Sequence, residues 1–245
     1  MSLPIYWRPN SKYPQPFGLD MSQAQAKMPE DFDFAKLLAY SDPRVEFLWL
    51  RSGISLGYPD PLFPYFRAMA EEFAIPWASY HVFYPTQPVI RQLDNWSRIL
   101  GDDPGKGPHA WDIELRMGTT RSQMTKATDH ALTAASKRLQ RTTTIYSRPY
   151  FIRDCFVPHA DFFDNAWWWL TCWRFSGVER RPLDIFTVLD ERRMLPVGIP
   201  PSRVVAVQTT KMGQARTFGS KHSHALDYDR WVTSATLFNH LWRGP

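Results

Sequence analysis

Four carboxyl side chains are spaced along the chain in a way that would let them act together. In HAWDIELRMG (109–118), Asp112 and Glu114 are separated by one residue within an apolar stretch. Residues i and i+2 of a strand point to the same side, so these two acids would share one face. Asp20 ends an earlier stretch, GLD, and Asp227 lies in a late one, ALDYD. The spacing predicts one acidic site built from three strands.

The chemistry open to such a site is acid–base catalysis. Crowded carboxylates repel one another, so at least one of them keeps its proton near neutral pH. A protonated acid beside an ionised one is the pair that glycosidic bond cleavage requires. A lone Asp-x-Glu is more often a pair of solvated loop acids, and Asp20 and Asp227 at matching positions favour the catalytic interpretation. A metal-dependent hydrolase that uses the four acids as oxygen ligands stays open as an alternative.

Alternating elements would position these acids. Strand and helix patterns alternate about five times, and three strands with little helix between them follow. About eight strands in 245 residues favour a single (β/α) barrel of the TIM type, irregular in its last three strands, with the alternation implying a parallel sheet. Catalytic residues of such barrels gather at the C-terminal ends of the strands. The predicted strands cover residues 17–22, 45–53, 75–84, 109–115, 142–147, 167–175, 204–210 and 223–231.

Composition and charge limit the class of protein. A hydrophobic content of 44% is enough for a sizeable core, and the 11 Trp residues suit either that core or a sugar-binding cleft. The net charge of +5 favours polyanionic partners such as an anionic cell wall. No nucleic-acid motif, glycine-rich phosphate loop or apolar run of membrane-spanning length is present. We therefore expect no nucleic acid, nucleotide or membrane partner.

The domain organisation follows from the same pattern. Residues 1–16 form a lead-in without the apolar stretch of a signal peptide. Residues 17–245 form the barrel domain, and a Pro- and Arg-rich stretch near 178–202 is predicted to be an irregular insertion. Cys155 and Cys172 lack metal-ligand spacing and lie in aromatic-rich segments, which predicts buried free thiols.

The order of the motifs resembles glycoside hydrolase family 25, the N-acetylmuramidase lysozymes, over residues 17–231. The matching residues, in chain order, are Gly18, Asp20, Ser22, Gln25, Arg51, Asp60, Phe63, Tyr80, His81, Asp112, Glu114, Ile145–Ser147, Trp169, Gln208, Leu226 and Asp227. The sequence departs from the family pattern at Ala26, where glycine is usual, at Val207, where tryptophan is usual, and at Trp173, where tyrosine is common. All four acids are in place despite these departures.

The resemblance implies cleavage of the β-1,4 bond between N-acetylmuramic acid and N-acetylglucosamine in peptidoglycan, without a metal or other cofactor. Glu114 would be the general acid, and Asp112 would stabilise the substrate's N-acetyl group, whose carbonyl attacks the anomeric carbon. Asp20 and Asp227 would hold hydrogen bonds that tune Glu114. The predicted substrate-binding residues are Tyr80, Tyr146, Trp169, Gln208 and Arg51, although each aromatic residue taken alone is about as well explained as core. We also expect Arg51 to be an internal partner for the acids, since buried carboxylates need compensation.

A second class of function stays open from the sequence. The chain could be a glycan-binding or virion structural subunit that kept the barrel and lost activity. The expected partners are peptidoglycan glycan strands and, for a phage protein, other virion proteins. A wall-degrading activity without a signal peptide suggests a phage lysin or a component carried on the particle, and a bacterial origin stays open as the alternative.

Overall fold

The computed structural model describes residues 15–41, 43–173, 195–223 and 225–243. Within these ranges the strands form one continuous sheet in the order β1-β9-β8-β7-β6-β5-β4-β2-β3, and β1 also pairs with β2. Eight strands therefore close into a barrel, while the short β3 forms a hairpin with β2. This confirms the predicted (β/α) barrel. The strands are β1 Phe17–Met21, β2 Val45–Ile54, β3 Tyr58–Pro59, β4 Trp77–Val82, β5 His109–Asp112, β6 Thr143–Ser147, β7 Trp167–Thr171, β8 Val204–Gln214 and β9 Ala225–Trp231.

The direction of the last strand departs from the prediction. The other neighbouring strands of the barrel are parallel, but β9 runs antiparallel to both β8 and β1. The expectation of a parallel sheet is therefore wrong for β9. The chain passes from β8 to β9 through a short 3-10 helix, Ala215–Phe218, instead of a long crossover helix. A short connection of this kind can join only antiparallel neighbours.

Six α-helices lie within the described residues. They are α1 Phe34–Ala39, α2 Phe63–Glu72, α3 Val89–Leu100, α4 Arg121–Leu139, α5 Pro149–Cys155 and α6 Ala235–Arg243. The boundaries have local causes. Thr120 and Gln123 exchange hydrogen bonds in a capping box that begins α4. Gly101 ends α3 with a φ of 68°, which glycine adopts without steric cost.

Two apolar layers lie on the two sides of the barrel wall. The outer layer packs the strands against the surrounding helices. The inner layer fills the barrel with aromatic and small residues, and α6 closes it at one end. Gly18 is required by this interior, because a Cβ there would lie 2.2 Å from the ring of Phe47. The main members of the inner layer are Phe47, Trp49, Ala78, Ala110, Tyr146, Trp169, Ala206, Trp231, Phe238, Leu241 and Trp242.

Several further predictions can be compared with the described residues. Cys155 and Cys172 are buried thiols that are not joined in a disulfide, as expected. Most of the predicted insertion at 178–202 and nearly all of the lead-in at 1–16 lie outside the described residues, so both stay predictions. The described end of the insertion contains the 3-10 helix Pro201–Arg203. No helix in the described ranges is long and apolar enough to span a membrane.

Candidate active site

The four predicted acids line one open cleft at an end of the barrel. Asp20 of β1 is directly paired with Asp227 of β9. Asp112 ends β5, and Glu114 follows two residues later. The cleft has a volume of about 290 Å³. Its lining also includes every other residue that the sequence singled out for the site, namely Arg51, Tyr80, Tyr146, Trp169 and Gln208.

Asp227 reaches this cleft for a reason that the sequence argument did not include. The acids were expected at the C-terminal ends of parallel strands, and Asp20 and Asp112 are placed in this way. Asp227 lies near the start of β9 instead. Because β9 is antiparallel to β1, the start of β9 and the end of β1 meet at the same end of the barrel.

Gln208 connects the acids to the aromatic side chains. Its Nε2 donates a hydrogen bond to Oδ2 of Asp20 at 2.7 Å. Its Oε1 accepts from the hydroxyl of Tyr146 at 3.0 Å and from Nε1 of Trp173 at 2.5 Å. These partners fix the orientation of the amide, since its nitrogen can only donate and its oxygen can only accept. Gln208 therefore holds Asp20 in one position.

Asp20 and Asp227 form a carboxyl pair that shares a proton. Burial and the charges of Asp227 and Asp229 raise the pKa of Asp20 well above its usual value, and the hydrogen bond from Gln208 opposes that rise. Burial also raises the pKa of Asp227 to about 6, while a hydrogen bond with Asp20 opposes it. A hydrogen bond between two carboxyl groups requires a proton on one of them, so the pair keeps at least one proton below about pH 6.

Asp229 is a fifth acid, which the sequence argument missed. Nε1 of Trp169 donates to its Oδ1 at 2.7 Å, and its other oxygen is buried without a hydrogen-bond partner among the described residues. Burial, followed by repulsion from Asp227, raises the pKa of Asp229 well above its usual value. A usable signal was present, because Asp229 follows Asp227 by two residues in ALDYD and thus shares its strand face.

The Asp-x-Glu pair is less symmetric than its spacing suggests. Burial, and then the charge of Glu114, raises the pKa of Asp112 well above its usual value, whereas Arg51 and Arg148 oppose the rise. Burial also raises the pKa of Glu114, and hydrogen bonding and charge from Arg148 and the charge of Lys211 oppose it. Asp112 is thus the acid whose pKa is raised further, and Glu114 is the acid in direct contact with a cation, Arg148.

Arg148 makes that contact and was missed by the sequence argument. Its Nε and Nη2 donate to the two carboxylate oxygens of Glu114, the second at 3.0 Å. Its Nη1 donates to the hydroxyl of Tyr150 at 2.7 Å. The guanidinium lies 4.9 Å from the ring centroid of Trp173, and Nζ of Lys211 lies 4.3 Å from the same centroid. A signal existed, since Arg148 directly follows the β6 strand IYS at the end where the acids gather.

The predicted aromatic residues form the floor of the cleft. Tyr80, Tyr146 and Trp169 are 8%, 7% and 1% exposed, so only a small part of each ring is accessible from the cleft. Trp169 stacks on Trp49 with ring centroids 4.0 Å apart. Trp173 is only half-buried and stands at the side of the cleft. Trp173 is therefore better placed than the three predicted rings for contact with a bound sugar.

Arg51 departs from its expected role. Its Nε donates to Oδ2 of Asp60 at 2.8 Å, and no ion pair with the four acids occurs among the described residues. Asp60 also accepts hydrogen bonds from the backbone N–H groups of Gln23 and Leu62, both at 3.0 Å. Its ion pair is thus with Asp60, and it acts on the four acids through charge instead of a direct contact. Its charge still opposes the raised pKa of Asp112.

Other matched motif residues support the backbone around the cleft. Oε1 of Gln25 accepts from the backbone N–H of Ser22 at 2.7 Å. His81 is buried between the hydroxyl of Ser52 and the carbonyl of Ser55, and burial lowers its pKa to about 4. His81 is thus a neutral structural residue that faces away from Tyr80. In the part of the chain that the structure describes, no three His, Cys, Asp or Glu side chains are arranged to hold a metal ion.

A comparison with known families decides the class of enzyme. The sequence profile of the glycosyl hydrolases family 25 matches residues 20–188. The chain belongs to this family. The matched stretch includes Asp20, Asp112 and Glu114, and it ends before Gln208 and Asp227. Membership confirms the resemblance seen in the sequence, and it makes the chain a glycoside hydrolase of the muramidase (lysozyme) type that acts on peptidoglycan. It favours the enzyme over the inactive binding subunit.

Solved structures share the fold of this family 25 chain at low sequence identity. A bacterial lysozyme from Streptomyces coelicolor has a TM-score of 0.71 and 18% identity, covering 93% of this chain and 96% of that one. A family 25 glycosyl hydrolase from Bacillus anthracis has a TM-score of 0.69 and 14% identity, covering 93% of each chain. The catalytic domain of the endolysin ply40 from Listeria monocytogenes bacteriophage P40 has a TM-score of 0.62 and 14% identity, covering 94% and 98%. No curated protein matches the sequence.

Proposed function

We propose that this enzyme cleaves the β-1,4 bond between N-acetylmuramic acid and N-acetylglucosamine with retention of configuration, using the N-acetyl group of the substrate as the nucleophile. The observation that carries the proposal is the cleft itself. Asp112 and Glu114 share it with the proton-sharing pair of Asp20 and Asp227, in a barrel of family 25. Carboxyl groups in different protonation states are what a glycosidase needs.

In the first step Glu114 acts as the general acid. Its proton passes to the glycosidic oxygen while the bond from that oxygen to the anomeric carbon breaks. The carbonyl oxygen of the muramic acid N-acetyl group forms the new bond to the anomeric carbon. The product is a cationic oxazolinium ring, and the glycan on the far side leaves with a new hydroxyl group.

Asp112 faces the charge that develops in this step. Its carboxylate orients the N-acetyl group and stabilises the positive charge of the oxazolinium ring. Glu114, now ionised, removes a proton from water, and the hydroxide oxygen attacks the anomeric carbon. The ring opens, the N-acetyl group is restored, and the muramic acid end is released in the β configuration.

The remaining acids and the floor of the cleft would set the shape and charge of the site. The charges of Asp227 and Glu114 repel each other, which helps to keep a proton on Glu114. Tyr146 holds Gln208, and Gln208 holds Asp20, while both Tyr146 and Gln208 line the cleft that would bind the substrate. Trp169 and Tyr80 would support the sugar from below.

We also propose where the enzyme acts. It works on the bacterial cell wall as a phage lysin or as a component of the phage particle, with residues 17–245 as a single catalytic domain. A phage endolysin shares the fold, which supports this assignment. Expression inside a bacterial host checks it. Lysis only after the membrane is permeabilised is expected, whereas lysis without permeabilisation would show that the chain reaches the wall unaided.

The product ends test the proposed reaction. Purified cell walls are digested until turbidity falls, and the new reducing ends are identified by borohydride reduction and mass spectrometry. The reduced sugar should be muramicitol, and NMR taken early should show the β anomer. Reduced glucosamine ends would mean that the other glycosidic bond is cut. An initial α anomer would rule out retention.

A further inference from the structure

The contact between Glu114 and Arg148 conflicts with the acid role of Glu114. A guanidinium that donates to both oxygens of a carboxylate stabilises its ionised form. Both oxygens of Glu114 accept from Arg148 in this structure. Arg148 therefore opposes the protonation that the burial of Glu114 favours. If Glu114 is the general acid, Arg148 has to leave it before the glycosidic bond can break.

Arg148 lies where a ligand can reach it. Its side chain is 34% exposed, while that of Glu114 is 16% exposed. Both residues line the cleft, together with Lys211 and Trp173. Arg148 and Lys211 lie 4.9 and 4.3 Å from the ring centroid of Trp173. Lys211 forms no ion pair with any described residue. Two cations beside one ring at the side of the cleft form a site for an anion.

We propose that Arg148 and Lys211 bind a carboxylate of peptidoglycan, and that this binding draws Arg148 away from Glu114. The inference rests on the proposed function of Glu114 and deepens it. The carboxylate comes either from the stem peptide or, on muramic acid residues that carry no peptide, from the lactyl ether, since both are the same chemical group. Glu114 then takes a proton from solvent, and that proton is the one it passes to the leaving oxygen. Substrate recognition and activation of the acid are thus one event.

The surroundings of Glu114 support protonation once Arg148 has moved. Asp112 of β5 and Asp227 of β9 are the acidic groups that interact with it, and the Tyr146 hydroxyl of β6 also faces it. Lys211 of β8 is the remaining cation, and in the proposed complex the bound carboxylate neutralises it. Burial then dominates, and burial favours the neutral form of a carboxyl group.

The test compares walls whose carboxylates are intact with walls whose carboxylates have been converted to methylamides. Wild type, Arg148→Gln and the matched control Arg153→Gln are assayed on both. Arg153 also pairs with an acid, Asp154, but it is exposed and does not line the cleft. Amidation removes the charged hydrogen bonds that the substrate carboxylate would form with Arg148 and Lys211. Wild type and the control should therefore lose about tenfold or more in kcat/KM on amidated walls.

Arg148→Gln should show the opposite pattern. It should be less active than wild type on native walls and more active than wild type on amidated walls, because Glu114 is then free without a ligand. Its activity should also extend to higher pH on amidated walls, since removal of the cation raises the pKa of Glu114. Arg148→Lys keeps the charge but loses the bidentate contact with Glu114. Its change in kcat/KM on amidation should therefore lie between the changes of wild type and Arg148→Gln. Melting curves establish that each variant is folded.

Glycan strands stripped of stem peptides identify the source of the carboxylate. Removal of the peptide leaves a free lactyl carboxylate in its place. A wild-type preference for charged over amidated strands that persists there shows that the lactyl group is sufficient, and one that disappears assigns the peptide, and either result supports the site. Equal amidation effects in wild type and Arg148→Gln would overturn the inference. So would an Arg148→Gln variant that is no better than wild type on amidated walls. Full activity of Glu114→Gln would instead overturn the proposed function, so the two failures are distinguishable.

Discussion

The two ends of the barrel are built from the same strands and have opposite character. At the end where the acids gather, five carboxyl groups lie in or just below an open cleft, and Asp227 and Asp229 each have a buried oxygen without a partner among the described residues. At the other end, α6 inserts Phe238, Leu241 and Trp242 into the barrel. The ring centroid of Trp242 is 4.8 Å from that of Phe47.

The two ends of the barrel contribute to different properties, the α6 end to the stability of the fold and the cleft end to catalysis. Burial of apolar rings at the α6 end stabilises the fold, since a fully buried large side chain contributes about 1.5–3 kcal/mol. Burial of crowded acids at the cleft costs free energy whenever they ionise. The stacked pair Trp49 and Trp169 lies between the two ends, so the floor of the cleft is also the top of the core. Substitutions at the two ends should therefore change different quantities.

Asp112→Asn should have a large effect on activity and none on folding. The neutral amide cannot stabilise the oxazolinium charge, so kcat should fall by about a hundred- to a thousandfold. Stability should not decrease, because burial already raises the pKa of Asp112 and penalises its charge. Initial rates on purified walls and urea unfolding measure the two effects. Asp94→Asn, at an exposed acid paired with Arg138, is the matched control and should change neither.

Trp242→Ala should have the converse effect. Removal of a fully buried tryptophan typically costs about 3–5 kcal/mol of unfolding free energy, and Trp242 is 0% exposed. The kcat of the molecules that remain folded should stay within about twofold of wild type. Trp242→Phe should cost much less, since it removes an indole N–H that has no partner among the described residues. A loss of kcat in Trp242→Phe without a loss of stability would break the separation of the two ends.

Asp227→Asn should change how stability depends on pH. Burial raises the pKa of Asp227 to about 6 from 3.8, so the folded state keeps this proton after the unfolded state has released it. Its contribution is therefore complete below about pH 4 and is lost as pH rises through about 6. Relative to wild type, the variant should gain about 2–3 kcal/mol between pH 4 and pH 7. Denaturant unfolding at both pH values measures this, and an unchanged difference would mean that Asp227 is ionised in the fold.

Secondary-structure elements were predicted from the sequence more accurately than contacts between side chains. The limits of β6 were predicted correctly to within one residue, 142–147 against Thr143–Ser147, because β-branched residues fill that strand. The direction of β9 was not, since an apolar strand pattern reads the same in both directions. The position of Asp227 at the cleft was thus predicted from the rule for parallel strands, and that rule does not apply to β9. The family resemblance, which depends on the order of motifs, was unaffected by this error.

Side-chain partners were the hardest to predict. Arg51 was assigned to the four acids, but Asp60 lies 2.8 Å from it and takes that place. Arg148 looked like any surface arginine after a strand, because the sequence does not show which side chains meet across a barrel. Gln208 was identified by the motif order, whereas its contacts with Asp20, Tyr146 and Trp173 required the structure.

If Glu114 supplies the proton to the leaving oxygen, the effect of its loss must depend on the leaving group. Glu114→Gln and wild type are compared on a natural glycan strand and on an aryl glycoside whose phenolate leaves without protonation. Glu71→Gln, at an exposed glutamate paired with Arg67, is the control. For Glu114→Gln we expect the rate of bond cleavage to fall by at least about a hundredfold on the strand and by less than about tenfold on the aryl glycoside. An equal loss on both substrates, or near wild-type cleavage of the strand, would contradict the role of Glu114 as the acid.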